Sequence, residues 1–320
     1  MLNDAPDNYY LIILGVEVFL TVLCVFVTLR CVRILLATGI IHLNMSIVLA
    51  SQFLQWFEVL LARIVVLPYQ YGFLRIDDSN ISLSSWYSSD PSEIMPVRSF
   101  KSIIPLYICA LFQWHYIFST FLGMGGIVIE RLFATIYVKD YEQKSRKFIP
   151  IALIVFNLMF SIPYAILAIE FQITVEFLIG LIVIFIPSYL TAYFFVTKLN
   201  KHLETYSLSQ KFQIRENLRA LRMIRKFIMI EVTYLILVCV LFCLLVFKYI
   251  DTYSGVWNRV LENFLYLNPI CSSFTIMYCS DVWWREFLGF HLVKKQERRK
   301  TMVVPDETNV YFGQLKNAWA

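Results

Sequence analysis

Apolar residues in this chain gather into seven long blocks, approximately Tyr9–Leu29, Leu43–Leu67, Ile103–Ile129, Phe148–Ile169, Val175–Leu199, Phe227–Phe247 and Val256–Tyr278. Each is close to the ~20 residues that a helix needs to cross a hydrocarbon layer roughly 30 Å thick. A bilayer offers no water to the backbone, so each block must satisfy its own N–H and C=O groups as a helix. The pattern predicts an all-α integral membrane bundle of seven helices, forming one membrane domain over residues 1–280. Composition agrees: 59% of residues are hydrophobic and 16% charged, with a mean hydropathy of +0.65, against soluble norms of about 45–50% and about 25%.

Charge sets the expected orientation, because Lys and Arg beside membrane helices collect on the cytoplasmic side. With the N-terminus outside, the inner segments hold two basic residues before segment two, five after segment three, eight between segments five and six, and seven in the tail. That places 22 of the 28 inside and five outside, with Arg63 inside segment two. The reading is therefore an extracellular N-terminus and a cytoplasmic C-terminus. Residues Met1 to Tyr10 lack the positive stretch of a signal peptide, so the first block is read as a retained helix. The net charge of +5 is scattered over juxtamembrane loops that face anionic lipid, which implies a bilayer partner and no nucleic acid.

The longest outer loop, Pro68 to Ser102, carries Asn80-Ile81-Ser82, an acceptor sequence for glycosylation at Asn80. Asn44-Met45-Ser46 fits the same pattern but falls at the cytoplasmic end of segment two. All seven cysteines lie in or beside the blocks and read as small buried apolar residues. The second outer loop, Ile169 to Val175, contains none, so no disulfide can tie it to segment three. No metal-type quartet is present, and no cofactor is expected. The four histidines, His42, His115, His202 and His291, are scattered, which argues against an enzyme.

The sharpest local signal is at the inner end of segment three, where Glu130-Arg131 ends a long apolar run and opens ERLFATIYVKDYEQKSRK, residues 130–147. The pair can simply mark the water boundary, or it can restrain the cytoplasmic ends of segments three and six until a ligand favours an open state. Together with Ala134-Thr135, Lys139-Asp140-Tyr141-Glu142 and Arg146, this stretch resembles the nematode serpentine receptor class epsilon family of chemoreceptors. The likeness extends over the whole chain in length, helix count and loop plan, down to Asn268-Pro269 in segment seven. The resemblance implies a G-protein-coupled receptor that detects an extracellular small molecule, an odorant or pheromone. It would signal to a heterotrimeric G protein from the plasma membrane of a sensory neuron, within its cilium. Departures from the wider rhodopsin-like class are plain: Leu132 replaces a tyrosine after the arginine, and no tyrosine follows Pro269 by three residues.

Asn268-Pro269 reads either as a bend or as part of a switch, since proline removes a backbone donor and the asparagine amide can bond a freed carbonyl. Pro163 and Pro187 imply bends in segments four and five. Between segments five and six, Arg215, Arg219, Arg222, Arg225 and Lys226 recur every three or four residues, a basic stripe for lipid head groups or for a G protein. Residues 281–295 place Trp283, Phe287 and Phe290 on one face ahead of Lys294 and Lys295, which predicts an amphipathic helix in the inner interface. Residues 296–320 are polar and are expected to be a disordered cytoplasmic tail.

Charges inside a membrane are expensive and usually face a cavity or a partner. Here they are Glu17, Glu58, Arg63, Glu231 and Glu262. Glu17, Glu58, Arg63 and Glu262 lie in the outer half, joined there by Gln113, Trp114, His115 and Tyr116 of segment three. These eight are the candidate ligand pocket; interhelical hydrogen bonding is the alternative role for each. Glu58 and Arg63 are five residues apart, which makes a direct bond between them awkward but a shared cavity feasible. A ligand-gated odorant channel or another polytopic transporter is the rival class, though no internal repeat of broken helices is visible.

Overall fold

A computed structural model describes residues 7–74, 100–137, 146–170, scattered positions between 180 and 198, and 208–246, 249 and 254–289. Every regular element among them is helical: α1 (Asp7–Ala37), α2 (Leu43–Gln70), α3 (Phe100–Ile136), α4 (Phe148–Ile169), α5 (Leu208–Val246), α6 (Ser254–Tyr278) and α7 (Asp281–Leu288). The helices α1 to α4 carry the first four apolar segments, α5 the sixth and α6 the seventh. Positions described between 180 and 198, in the fifth segment, are helical too. Residues 75–99 of the first outer loop, with Asn80, the Lys139–Glu142 part of the motif after Glu130-Arg131, residues 171–175 of the second outer loop, Phe290, Lys294, Lys295 and the tail lie outside the described residues.

Five described helices are long and apolar enough to cross a membrane, spanning Ile12–Ala37, Leu43–Gln70, Ile103–Ile136, Phe148–Ile169 and Leu218–Leu245. The sixth, α6, has 25 residues, enough length for the same crossing at about 1.5 Å per residue. It misses on composition, because Asn258, Arg259, Glu262, Asn263 and Asn268 interrupt its apolar run. Two of these are buried, Glu262 at 1% and Asn268 at 6% exposed, and the other three are half-buried.

The largest core cluster lies at the end of the bundle where α1 finishes and α2 begins, and follows helical spacing. Val27, Cys31 and Leu35 of α1 meet Met45, Leu49 and Phe53 of α2, Ile127 of α3, Ile224 and Ile228 of α5, and Met277 of α6. Each set recurs every three or four residues, so one face of each helix points inward. The opposite faces are apolar as well: Ile12, Val16, Phe19, Val22 and Phe26 of α1, and Ile151, Val155, Met159 and Ile162 of α4, are all exposed. Water would not tolerate apolar faces of that length on a monomer, whereas lipid tails are the solvent they match.

Small and polar residues stitch the helices where lipid supplies no hydrophobic drive. Asn157, Ser161, Ala165 and Ala168 form the buried face of α4. From it Asn157 Nδ2 donates to Ser119 Oγ at 2.9 Å, and Ser119 Oγ donates to Gln55 Oε1 at 2.5 Å, joining α4, α3 and α2. Pro68 sits inside α2, which continues past the expected end at Leu67 to Gln70. The side-chain amide of Gln52 of α2 occupies the space beside Gly123 of α3 that a Cβ would enter.

The short α7 docks on the bundle, so its apolar face is turned to protein rather than left for lipid. Trp283 and Phe287 are buried, and Trp283 Nε1 donates to Thr38 Oγ1 at 2.7 Å. Arg30 Nη2 donates to the Glu286 carbonyl at 2.8 Å, satisfying a helix-end acceptor from the neighbouring α1. The helix stops at Gly289, whose φ of 76° is left-handed and costs glycine little.

Candidate functional site

Two polar centres dominate the bundle, one at each end. Toward the C-terminal end of α2, Arg63 stands between two carboxylates from other helices. Its Nη1 lies 2.8 Å from Glu262 Oε2 of α6, and its Nη2 lies 3.1 Å from Glu17 Oε1 of α1. The guanidinium also covers the ring of Tyr266 at 4.5 Å, a cation–π contact that adds to the charge pairing. Gln70 Nε2 donates to Glu262 Oε1 at 2.9 Å, Asn263 Nδ2 to Glu17 Oε1 at 2.9 Å, and Tyr71 Oη to Glu17 Oε2 at 3.1 Å. Arg259 completes the group by donating to Gln70 Oε1 at 2.5 Å. Two arginines thus balance two carboxylates in a clasp of α1, α2 and α6, with Glu17 and Arg63 each 4% exposed. Burial of this kind is tolerable only because the charges are paired and their remaining lone pairs bonded.

The eight candidate pocket residues divide among four places. Glu17, Arg63 and Glu262 meet in the clasp. Glu58 lies on another face of α2, since five residues turn a helix by about 140°, and its Oε2 is 2.6 Å from His115 Nδ1. Gln113 and Tyr116 line a cavity of about 10 Å³ with Val59, Ile117, Leu265 and Tyr266. Trp114 points elsewhere, packing with Phe118, Ala165 and Ala168 toward α4. Four consecutive helical residues cannot share one face, which is why 113–116 separate.

Sequence reasoning missed Gln70, Tyr71, Asn263 and Tyr266. A signal for the last was present: Arg259, Glu262, Asn263 and Tyr266 recur at three- and four-residue spacing on α6, one polar stripe on one face.

Toward the C-terminal end of α3, Glu130 and Arg131 bind each other. Arg131 Nε lies 2.5 Å from Glu130 Oε2 and its Nη2 lies 2.7 Å from Oε1, the bidentate geometry that makes arginine–carboxylate pairs strong. Both are buried, Glu130 at 0% and Arg131 at 3% exposed, so the pair sits inside the bundle rather than at a water boundary. Beside it is the turn between α1 and α2, where His42 Nδ1 accepts the Asn44 backbone N–H at 3.3 Å. Burial pushes the His42 imidazole below its usual pKa; Glu130 opposes that shift and Arg131 adds to it. Arg146 stacks over Tyr137 at 4.1 Å. Arg222 and Arg225 are exposed on α5, as a surface available to a partner or to lipid requires.

Asn268 and Pro269 fall between the two ends. Asn268 Oδ1 accepts from Ser272 Oγ of the same helix at 2.9 Å, but its amide N–H is turned to another helix. Its Nδ2 donates across to Tyr116 Oη of α3 at 3.4 Å, while the nearby Tyr266 carbonyl takes the indole N–H of Trp56 at 2.8 Å.

A family model described as Sre G protein-coupled chemoreceptor matches residues 1–320. The chain belongs to the Sre family. Among its relatives, Serpentine receptor class epsilon-38 of Caenorhabditis elegans is 31% identical, the match covering 100% of this chain and 95% of that protein. Serpentine receptor class epsilon-37 is 28% identical over 92% of this chain and 88% of its own length, and class epsilon-29 is 28% identical over 99% and 95%. As an Sre receptor the chain is a multi-pass, seven-helix chemosensory receptor of the G-protein-coupled type, and neither the channel nor the transporter reading has support. Membership of a receptor family also fits a protein that is not an enzyme.

Proposed function

We propose that this receptor sits in the plasma membrane of a chemosensory neuron, in its cilium, with the N-terminus outside, and binds a small extracellular molecule in the outer half of the bundle. Its cytoplasmic face engages a heterotrimeric G protein through the Glu130–Arg131 end of α3 and through Arg222 and Arg225 on α5. The observation that carries this reading is the buried, bidentate Glu130–Arg131 pair. A charge pair so placed has a defined alternative, in which the arginine leaves its carboxylate as the inner ends of the helices part, and a ligand that prefers the parted state shifts the balance. At the other end, Gln113, Tyr116 and Tyr266 line a cavity of about 10 Å³, room for no more than one water, against the ring on which Arg63 stacks, so a ligand would have to part the helices there. Binding there would bear on α2, α3 and α6 together.

The orientation has its own test. Expressed in a glycosylating membrane, the receptor should run as a heavier species that collapses on glycosidase treatment and is missing in Asn80→Gln. A glycan on Asn44 instead, at the opposite end of α2, would turn the receptor upside down.

A further inference from the structure

Most carboxylates of the bundle are buried and satisfied by a neighbouring helix or residue. Glu17 and Glu262 share Arg63 in the clasp, Glu130 holds Arg131, and the buried Glu231 takes the Ser272 hydroxyl at 2.5 Å. Glu58, midway along α2, differs: 31% of its side chain is exposed, and its ion-pair partner among the described residues is His115 of α3, at 2.6 Å.

The register of α2 and α3, which run antiparallel, sets the direction in which Glu58 opens. Gln55 meets Ser119, Glu58 meets His115, and Ala62 and Val66 pack with Cys109. One and two turns beyond Glu58, Leu61 and Val65 are exposed, as are Ile108 and Ile104 on the matching stretch of α3. Val59 and Arg63, on another side of α2, are buried, so Glu58 opens toward lipid and away from the clasp. On the side of Gln55, the bonds from Asn157 to Ser119 and on to Gln55 close the seam. The packed α4 carries no charged residue. The result is an apolar, lipid-facing seam that ends in a carboxylate and an imidazole.

Facing hydrocarbon, this pair must carry no net charge. A carboxylate beside a neutral imidazole therefore needs one more proton. Held on His115, that proton makes an N–H of Nε2, a buried atom with no hydrogen-bond partner; held on Glu58, it leaves an O–H toward lipid. Either way a donor goes without an acceptor, which is costly away from water.

We propose that the α2–α3 seam binds a lipophilic primary amine drawn from the bilayer, with its ammonium head on Glu58 and its chain along Leu61, Val65, Ile108 and Ile104. An aliphatic amine is a stronger base than a carboxylate or an imidazole. It dissolves in lipid as the free base and takes the additional proton on reaching the pair. One N–H or O–H bond of the pair breaks, one N–H bond forms on the amine, and the net charge stays zero. The ammonium then donates to Glu58, whose other bond comes from His115 Nδ1. An alcohol with the same chain cannot take the proton, and a quaternary ammonium has none to donate. The proposal deepens the reading that a small molecule binds this part of the bundle; its test reads binding with no G protein present, so its failure is distinct from a failure of coupling.

The test is binding of radiolabelled n-octylamine to the purified full-length receptor in lipid nanodiscs, counted against empty nanodiscs. Octylamine should bind saturably, and n-octanol, octyltrimethylammonium and the chainless ethylamine should not displace it. Glu58→Gln should weaken binding by roughly tenfold or more, as the loss of a charge-assisted bond requires, while the thermal midpoint stays near that of wild type. Ile108→Trp, which narrows the seam from the lipid side and leaves the pair in place, should weaken it as well. Uptake no greater than that of empty nanodiscs, equal displacement by octanol, or full affinity in Glu58→Gln would each overturn the proposal.

Discussion

Replacing Arg63 with methionine should cost this receptor about 3–5 kcal/mol of stability, the usual penalty for removing one partner of a buried ion pair. Methionine keeps the length and apolar stem of the side chain, so packing is largely preserved and the loss falls on electrostatics. Glu17 and Glu262 would face each other without the guanidinium that now lies within 3.1 Å of one and 2.8 Å of the other, and Arg259 alone, 3.9 Å from Glu262, cannot serve both. The receptor should therefore reach the cell surface poorly and unfold at a lower midpoint. Adding Glu17→Gln and Glu262→Gln to Arg63→Met should restore much of both, because the amides carry no charge to strand. If the single variant folds like the wild type, the clasp contributes little and Arg63 is free for a direct role in ligand binding.

The second large effect concerns the inner pair. Charge-assisted hydrogen bonds are worth about 1.5–3 kcal/mol each to a charged group, and each 1.4 kcal/mol changes a population ratio about tenfold. Glu130→Gln keeps the shape of the side chain but weakens its hold on Arg131, so exchange of nucleotide on the G protein without any ligand should rise about tenfold. Arg131→Gln in the same background removes the group proposed to move. It should return ligand-stimulated exchange to the baseline while leaving surface expression near that of Glu130→Gln, since no buried carboxylate is then left alone. Basal exchange unchanged by Glu130→Gln would mean that the pair is structural only.

Much of this architecture was legible along the chain, for reasons that are local. Segment length and the expense of a charge in a membrane are properties of short stretches. They picked out Glu17, Arg63, Glu231 and Glu262 as residues in need of partners. Which partners they take was not legible. Arg63 and Glu262 lie 199 residues apart in sequence, and nothing in the spacing of either says that α2 and α6 are neighbours. The run 113–116 reads as one polar cluster in a line of text, yet helical rotation sends Trp114 to α4, His115 to Glu58 and Tyr116 to Asn268. The same holds for α7: its alternation of aromatic and polar residues specifies an amphipathic helix, but only the packed bundle, through Thr38 and Arg30, decides that its apolar face meets protein.

The pairing of Ser272 with Glu231 was hidden for a further reason. Ser272 sits one turn beyond Asn268 on α6, and a lone serine in an apolar segment more often bonds its own backbone, as Thr275 does with the Cys271 carbonyl. Only the approach of α5 gives it a carboxylate.

The most direct measurement is nucleotide exchange on a panel of Gα proteins in membranes carrying the receptor, scanned against volatile and water-soluble odorants, with the Glu130→Gln/Arg131→Gln double variant as control. The account predicts exchange that depends on an odorant and vanishes in the double variant; odorant-evoked membrane current with no exchange on any Gα would contradict it.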